Sequence, residues 1–449
     1  TGSVAWDVAL TDPASGVAEA LSAVTGIAEL AGAAETGHTG YSANMAPQVV
    51  GDIVLAGITG AGYGLHVETQ ENGEAVLSVA GLGGGSHGLR GFLVALDATT
   101  GEERWRWHSA AGPDWEGDYV EVVDEGIDGG IPLNRDIAAE KARAPRFRDA
   151  WRLGGGSIWT TPAVDVGRRL VFIGTGNPAP QMDGATRPGD NLYTVSLVAL
   201  SLDTGELRWH YQQVPHDRWG YDVASPPVLF SLPFGGSMRD VVGQASKTGW
   251  FYVHDRETGD LLTRSEPFAP QENLFARPTE AGVRIAPSTY GACSWSPVSL
   301  DEANRRVFIA GTHQPAMYYS RRLPPDPDRP FSSYTFFKPI PQEGHGLLSA
   351  VDLVSGRLQW QLETEEPLVG GVLATAGGLV FNGEGNGRFA AYDADNGRLL
   401  WQHRATAGVN APAVTYSVGG VQYVAVAAGG NSLYGYTTGD EIVAFRLPQ

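Results

Sequence analysis

Apolar residues in this chain come in short, strand-length runs closed by polar turns, and one such unit recurs. It reads LVALDATTGEERW at 93–105, LVALSLDTGELRW at 197–209, LSAVDLVSGRLQW at 348–360 and FAAYDADNGRLLW at 389–401. FYVHDRETGDLL at 251–262 is a fifth copy without the final Trp. In each, an apolar strand ends at Asp or another polar residue, and Thr-Gly, Ser-Gly or Asn-Gly closes a tight hairpin in which Gly supplies φ > 0. The returning strand then delivers Trp105, Trp209, Trp360 or Trp401 as a peg between neighbouring units. Ala46–Val50 and Ile53–Ala56, on either side of Gly51-Asp52, predict another hairpin, and Leu170–Ile173 a buried strand. No segment of helical period is long enough for βαβ crossovers. Repeated four-stranded units with one aromatic peg each predict an all-β chain folded as a β-propeller. We expect a single domain over 1–449, with an inserted Gly-rich loop at 62–88 and a Pro-rich loop at 322–346 that contains PPDPDRP. The small-residue segment Ala18–Ala34 reads as a short helix or a loop.

Composition narrows the partners. The 449 residues include 60 Gly and 12 Trp, with 18% charged residues, which describes a compact, turn-rich protein. Length alone suggests about three domains, but closed β folds depart from that rule. A formal net charge of −19 removes the basic footprint that nucleic acid or an anionic membrane surface requires. No apolar run approaches the roughly 18 residues of a membrane span. The chain opens on Thr1 with no signal-like segment, and its single cysteine, Cys293, rules out an intrachain disulfide.

Candidate chemistry concentrates between Gly154 and Asp222. Gly154-Gly-Gly156 leaves an open backbone beside Trp159, an aromatic plate suited to a planar ligand. The strand at Leu170–Ile173 delivers Asn177 onto the loop at its end, a favoured functional position. His216, Asp217 and Asp222 cluster around Trp219. A bland reading stands beside each of these. Trp159 can be a core residue, Asn177 a turn residue, Lys247 a solvated hairpin lysine and Asp222 a loop pin. His216 reads better as a structural hydrogen-bonder than as a base, and Asp97, Asp352 and Asp393 as turn residues without chemistry.

The strings GGGSIW, GTGNPAP, RPGDNLYTVSLVAL, HDRWGYD, KTGWFYVHDRETG, LATAGGLVFNG and GGNSLYGYTTGD occur in the order found in one family. From about residue 44 to its C-terminus the chain resembles the pyrroloquinoline quinone (PQQ)-dependent alcohol and sugar dehydrogenases, which are eight-bladed propellers. The resemblance makes Trp159 the floor beneath PQQ and Ser157 its hydrogen-bonding neighbour. It places Thr59, Gly60 and Ala61 beside the PQQ carboxylates, and Ser294, Trp295 and Asn44 along the cofactor site. Lys247 falls where a cation stabilises negative charge on the quinone oxygen during reduction. Asn177 and Asp222 match ligands of the active-site cation, Ca²⁺ or a lanthanide.

Several positions depart from that pattern. The family's catalytic Asp is Gly220 here, which leaves Asp222, two residues on and on the same face of a strand, as the expected base. The expected metal-binding Glu is Gly62, with Glu68 or His87 as substitutes from the inserted loop. A Trp common before LATAGG is Val369, and the family's first blade has no counterpart in the chain. The resemblance implies a periplasmic or secreted enzyme that oxidises an alcohol or sugar hydroxyl and passes electrons to cytochrome c or another acceptor. The alternative is a cofactor-free propeller that serves as a binding or assembly scaffold, since fold alone does not decide function.

Overall fold

The computed structural model describes residues 4–10, 43–59, 65–69, 75–79, 90–127, 129–322 and 333–447. The chain divides into two compact units: Thr1–Val123 with Arg135–Arg218 and Arg321–Phe336, and Asp124–Asn134 with Trp219–Ser320 and Phe337–Gln449.

The first unit holds two four-stranded antiparallel sheets in which strand order follows chain order. Sheet 1 consists of Gln48–Val50, Ile53–Ile58, Phe92–Asp97 and Glu103–His108, and sheet 2 of Ala163–Asp165, Leu170–Gly174, Ser196–Ser201 and Leu207–Gln212. Leu55, Leu93 and Ala95 of sheet 1 pack against Val171, Ile173, Val198 and Leu200 of sheet 2.

The second unit repeats the plan. Sheet 3 is Val228–Phe234, Ser237–Ala245, Phe251–Asp255 and Leu261–Arg264. Sheet 4 is Ser299–Asp301, Arg306–His313, His345–Asp352 and Leu358–Thr364, and sheet 5 is Val372–Ala374, Leu379–Gly383, Arg388–Asp393 and Leu399–Arg404. Sheet 6 has three strands among the described residues: Val414–Val418, Val421–Ala428 and Glu441–Arg446. Successive sheets share cores, sheet 3 with 4, 4 with 5 and 5 with 6. Sandwiching explains why Ser196–Ser201 and Arg306–His313 are buried along their whole length. Glu441–Arg446, by contrast, alternates in exposure as a strand with one covered face does. These sheets bear out the all-β, propeller-type reading.

The recurring turn has a structural cause. Gly101, Gly205, Gly259, Gly356 and Gly397 all have φ between +70° and +80°, and Asp97, Asp255, Asp352 and Asp393 accept backbone N–H bonds within these turns. Asp97, Asp352 and Asp393 are turn residues, as expected, and Asp255 is a fourth. Three Trp then dock in one way. Trp6 Nε1 donates to Ala98 O at 3.0 Å, Trp105 Nε1 to Leu202 O at 2.9 Å and Trp360 Nε1 to Ala394 O at 2.9 Å. A Cβ on Gly101, Gly205 or Gly397 would lie 2.7, 2.5 or 2.8 Å from those rings. The glycine is therefore fixed both by its backbone angle and by the indole against it.

Three expectations change. Trp401 is 39% exposed and rests edge-on against Phe445 of sheet 6, because that sheet offers no Asp-x-x-x-Gly turn to receive it. Within 62–88, Leu65–Thr69 and Ala75–Val79 pair as a hairpin. Within 322–346, Ser333–Pro339 is a strand and His345 begins another, so the region is not a continuous loop. Ala18–Ala34 lies outside the described residues. No helix among the described residues is long and apolar enough to cross a membrane.

Candidate active site

In a four-stranded antiparallel meander, the links after the second and fourth strands lie at one edge of the sheet, and the other two links at the opposite edge. The Trp-docking turns use the edge between third and fourth strands. The candidate residues all use the other edge of their own sheets. In the first unit these are Thr59 after Ile58, Ser157 and Trp159 before Ala163, Asn177 after Gly174, and His216 and Asp217 after Gln212. In the second they are Asp222 before Val228, Lys247 after Ala245, and Ser294 and Trp295 before Ser299.

The first unit's site begins with the glycine strip. Gly155 and Gly156 have φ of +72° and +74°, and the strip is stitched to the Asn177 loop. Gly156 N donates to Asn177 O at 2.8 Å, Ala179 N to Gly154 O at 2.9 Å and Gly176 N to Ser157 O at 2.9 Å. A Cβ on Gly155 would sit 2.9 Å from Asn177 O, so only glycine permits the approach. Ser157 is buried and Trp159 half-buried. The Thr59 hydroxyl is buried without a hydrogen-bond partner.

The Asn177 amide is held at both ends. Its Nδ2 donates to Asp217 Oδ2 at 2.7 Å, and its Oδ1 accepts from Gln181 Nε2 at 3.1 Å. Behind them lies Arg187, fully buried, which donates to Pro180 O at 2.9 Å, to Asn191 Oδ1 at 2.6 Å and to Asp217 O. Burial pulls its pKa down to about 10, against the opposing pull of Asp217 and Asp183, so it stays cationic at neutral pH. Arg135 joins Glu140 (2.7 Å) and Asp190 in a second buried network. His216 belongs there too. Its Nδ1 faces Gly189 O at 2.8 Å and must carry the proton, since a carbonyl only accepts. Burial holds the ring well below its ordinary pKa, so it is neutral and structural, as expected.

In the second unit, Lys247 Nζ lies 3.2 Å from Asp222 Oδ2 and 3.1 Å from Gly220 O, with both side chains buried. Lys247 is therefore not a solvated hairpin lysine. Gly220 has φ +87°, and Thr289 Oγ1 also donates to its carbonyl at 3.2 Å. Trp219 and Tyr221 are pinned on either side, through Ala276 O (2.8 Å) and Pro287 O (2.7 Å). The stretch from Asp217 to Ala224 is irregular, not a strand, so the two-residue strand argument for Asp222 fails. Contact with Lys247 orients Asp222 instead. The Ser294 hydroxyl is buried without a partner, and Trp295 stands edge-on to Tyr434 at 6.4 Å.

Asn44 is exposed ahead of the first strand of sheet 1. Gly60, Ala61, Gly62 and His87 lie outside the described residues, and Glu68 falls in the hairpin strand Leu65–Thr69. Sequence reasoning placed Asp217 in a cluster around Trp219 without pairing it with Asn177, and did not assign Gln181 or Arg187 to the site. Two donor sets bear on cofactors. Amide and carboxylate oxygens at Asn177 and Asp217 suit a hard cation, although no group of three or more His, Cys, Asp or Glu clusters among the described residues. The buried hydroxyl of Thr59 in the first unit has no partner, nor does that of Ser294 in the second, and each is a donor that a ligand with its own acceptors would satisfy.

A family model described as glucose/ethanol/alcohol dehydrogenase, beta-propeller domain, matches residues 84–273. Quinohemoprotein alcohol dehydrogenase ADH-IIG of Pseudomonas putida is 33% identical over 394 residues, which cover 80% of this chain and 52% of that protein. Over four fifths of its length the chain is similar to the quinoprotein alcohol dehydrogenases. The crystal structure of the family's quinohemoprotein alcohol dehydrogenase from Comamonas testosteroni matches with TM-score 0.70 and 29% identity, over 90% of this chain and 60% of that one. A europium-containing methanol dehydrogenase shares the fold at TM-score 0.69 and 24% identity, over 91% of this chain and 74% of that one. A second model, outer membrane protein assembly factor BamB, matches residues 344–447. The chain spans about half the length of the quinohemoprotein relatives it matches.

Proposed function

We propose that the protein oxidises an alcohol or sugar hydroxyl in a PQQ- and cation-dependent reaction and delivers the electrons to a cytochrome or similar acceptor outside the cytoplasm. The observation that carries this reading is the buried Lys247–Asp222 ion pair at 3.2 Å. Burying two charges is costly unless they are paired, and a carboxylate side chain held in place by a hydrogen-bonded cation is a group type that serves as a general base. When bound, PQQ supplies the two-electron acceptor for the hydride equivalent leaving the carbinol carbon. Trp159 offers its ring face to the planar cofactor, and Ser157, Thr59 and Ser294 offer hydroxyl donors. Asn177 contributes an amide oxygen to a Ca²⁺ or lanthanide ion. Asp222 takes the substrate's hydroxyl proton, a step that falls to it because Gly220 has no side chain. The Lys247 ammonium stabilises negative charge as it develops on the acceptor oxygen.

The test is steady-state dye reduction over a panel of alcohols and sugars, with PQQ and Ca²⁺ or a lanthanide saturating. We expect turnover that Asp222→Ala reduces about 10²-fold or more. Full activity in Asp222→Ala removes it from the mechanism. A second reading, a cofactor-free scaffold, is favoured by Gly62 and Gly220 and by the assembly-factor match at 344–447. The absence of turnover in the parent protein with every cation and substrate would support it.

A further inference from the structure

We infer that Asp217 is a positioning residue that fixes which end of the Asn177 amide faces a cation, a role that rests on the reading of Asn177 as a cation ligand. The two ends of an asparagine side chain are alike in shape and opposite in chemistry. The oxygen ligates a hard cation and the NH₂ repels it. A wrong flip therefore converts a ligand into a barrier. At this site the flip is decided by an acceptor-only group, since Asp217 Oδ2 lies 2.7 Å from Asn177 Nδ2 and can only accept. At the other end Gln181 Nε2 donates to Oδ1 at 3.1 Å, which agrees with that orientation. An amide oxygen carries two lone pairs, so Gln181 does not exhaust its capacity.

Asp217 is itself fixed. Its backbone carbonyl receives Arg187, which also grips Pro180 O at 2.9 Å, three residues from Asn177, and Asn191 Oδ1 at 2.6 Å. The Asn177 carbonyl is held by Gly156 N at 2.8 Å. Asn177, Asp217, Arg187 and Gln181 are all buried, so neither the amide nor the carboxylate has room to turn. The carboxylate also leaves negative charge beside the ligand, in a chain whose expected metal-binding Glu is Gly62.

The test is terbium(III) binding to the full-length chain, followed by luminescence sensitised through its tryptophans. The parent should bind and Asn177→Ala should lose binding. Asp217→Leu should bind about 10–100-fold more weakly, the usual cost of removing a group that orients a metal ligand. Asp217→Asn keeps an acceptor oxygen in place and should recover most of that loss. Parent affinity in Asp217→Leu, with binding lost in Asn177→Ala, overturns the role of Asp217 alone. Parent affinity in Asn177→Ala, or no binding by the parent, overturns the reading beneath it. Should Asp217→Leu fail to fold, Asn177→Asp gives the answer. It sets two carboxylates side by side, so terbium should raise its thermal midpoint more than the parent's, and an equal or smaller rise counts against the proposal.

Discussion

Where third and fourth strands turn, sheets 1 to 5 use one solution, a turn closed by a glycine at φ +70° to +80°. At the opposite edge the described loops differ from one another. The glycine strip of 154–156, the amide–carboxylate pair at Asn177 and Asp217 and the ion pair of Lys247 and Asp222 each appear once. In sheets 1, 2, 4 and 5 the repeating edge has the same task, which is to receive an indole or a smaller substitute and close the core. Thr263, where the fifth copy lacks its Trp, lies 3.2 Å from a Cβ placed on Gly356 and fills the indole's place. The other edge carries buried charge and partnerless hydroxyls, which cost stability unless a ligand uses them.

The contrast can be broken from either side. On the repeating edge, Trp105→Ala should have the largest effect on stability, about 3–5 kcal/mol, because the indole is buried and bonded to Leu202 O. Chemical denaturation of the variant measures it, and a loss below about 1 kcal/mol would remove docking as the organising contact. On the other edge, Asp222→Asn keeps the shape beside Lys247 but cannot take a proton. Its turnover should fall about 10²-fold or more, with a smaller change in thermal midpoint than Trp105→Ala causes.

Gly220→Asp sharpens the comparison further. Restoring the family residue places a side chain at φ +87°, which costs about 1–3 kcal/mol of backbone strain. We expect a lowered melting temperature and no gain in rate, whereas an unchanged midpoint with faster turnover would show that the position tolerates the base. Trp401→Ala should cost less than half as much as Trp105→Ala, since its ring is already 39% exposed.

The smallest expected effect is on pH dependence. Burial lowers the pKa of His254 to about 4 and holds His216 well below its ordinary value. The unfolded chain therefore binds more protons than the folded one below about pH 6.5. Stability should fall as pH drops from about 6.5 towards 4. His254→Gln should flatten that slope in urea titrations at several pH values, and an unchanged slope would assign it elsewhere.

The repeating edge was legible because its signal is local. Asp, Gly and Trp recur within nine residues, and each copy reports the same turn. Trp6 escaped notice because its partners, Ala98 and Gly101, lie more than ninety residues away and no turn motif precedes it. Trp401 matched the repeat in sequence, yet its exposure depends on what sheet 6 lacks. At the other edge the motif strings located Trp159, Asn177, Asp217, Asp222 and Lys247, but not which of them pair. The pairing of Asn177 with Asp217, and the hold of Arg187 on Asp217, join residues thirty to forty apart, and no periodicity marks them. The reasoning for Asp222 assumed a strand, whereas Gly220 at positive φ makes the segment irregular, and the Lys247 contact that orients Asp222 is a tertiary one.

The most direct test of the account is the absorbance of the reconstituted chain, with PQQ and Ca²⁺ or a lanthanide, before and after an alcohol is added. The account predicts that the parent binds PQQ and that the bound cofactor is reduced on addition of substrate. Asp222→Asn should bind PQQ equally well and leave it oxidised. A parent chain that leaves PQQ free in solution, or an Asp222→Asn variant that reduces it at the parent's rate, would contradict the account.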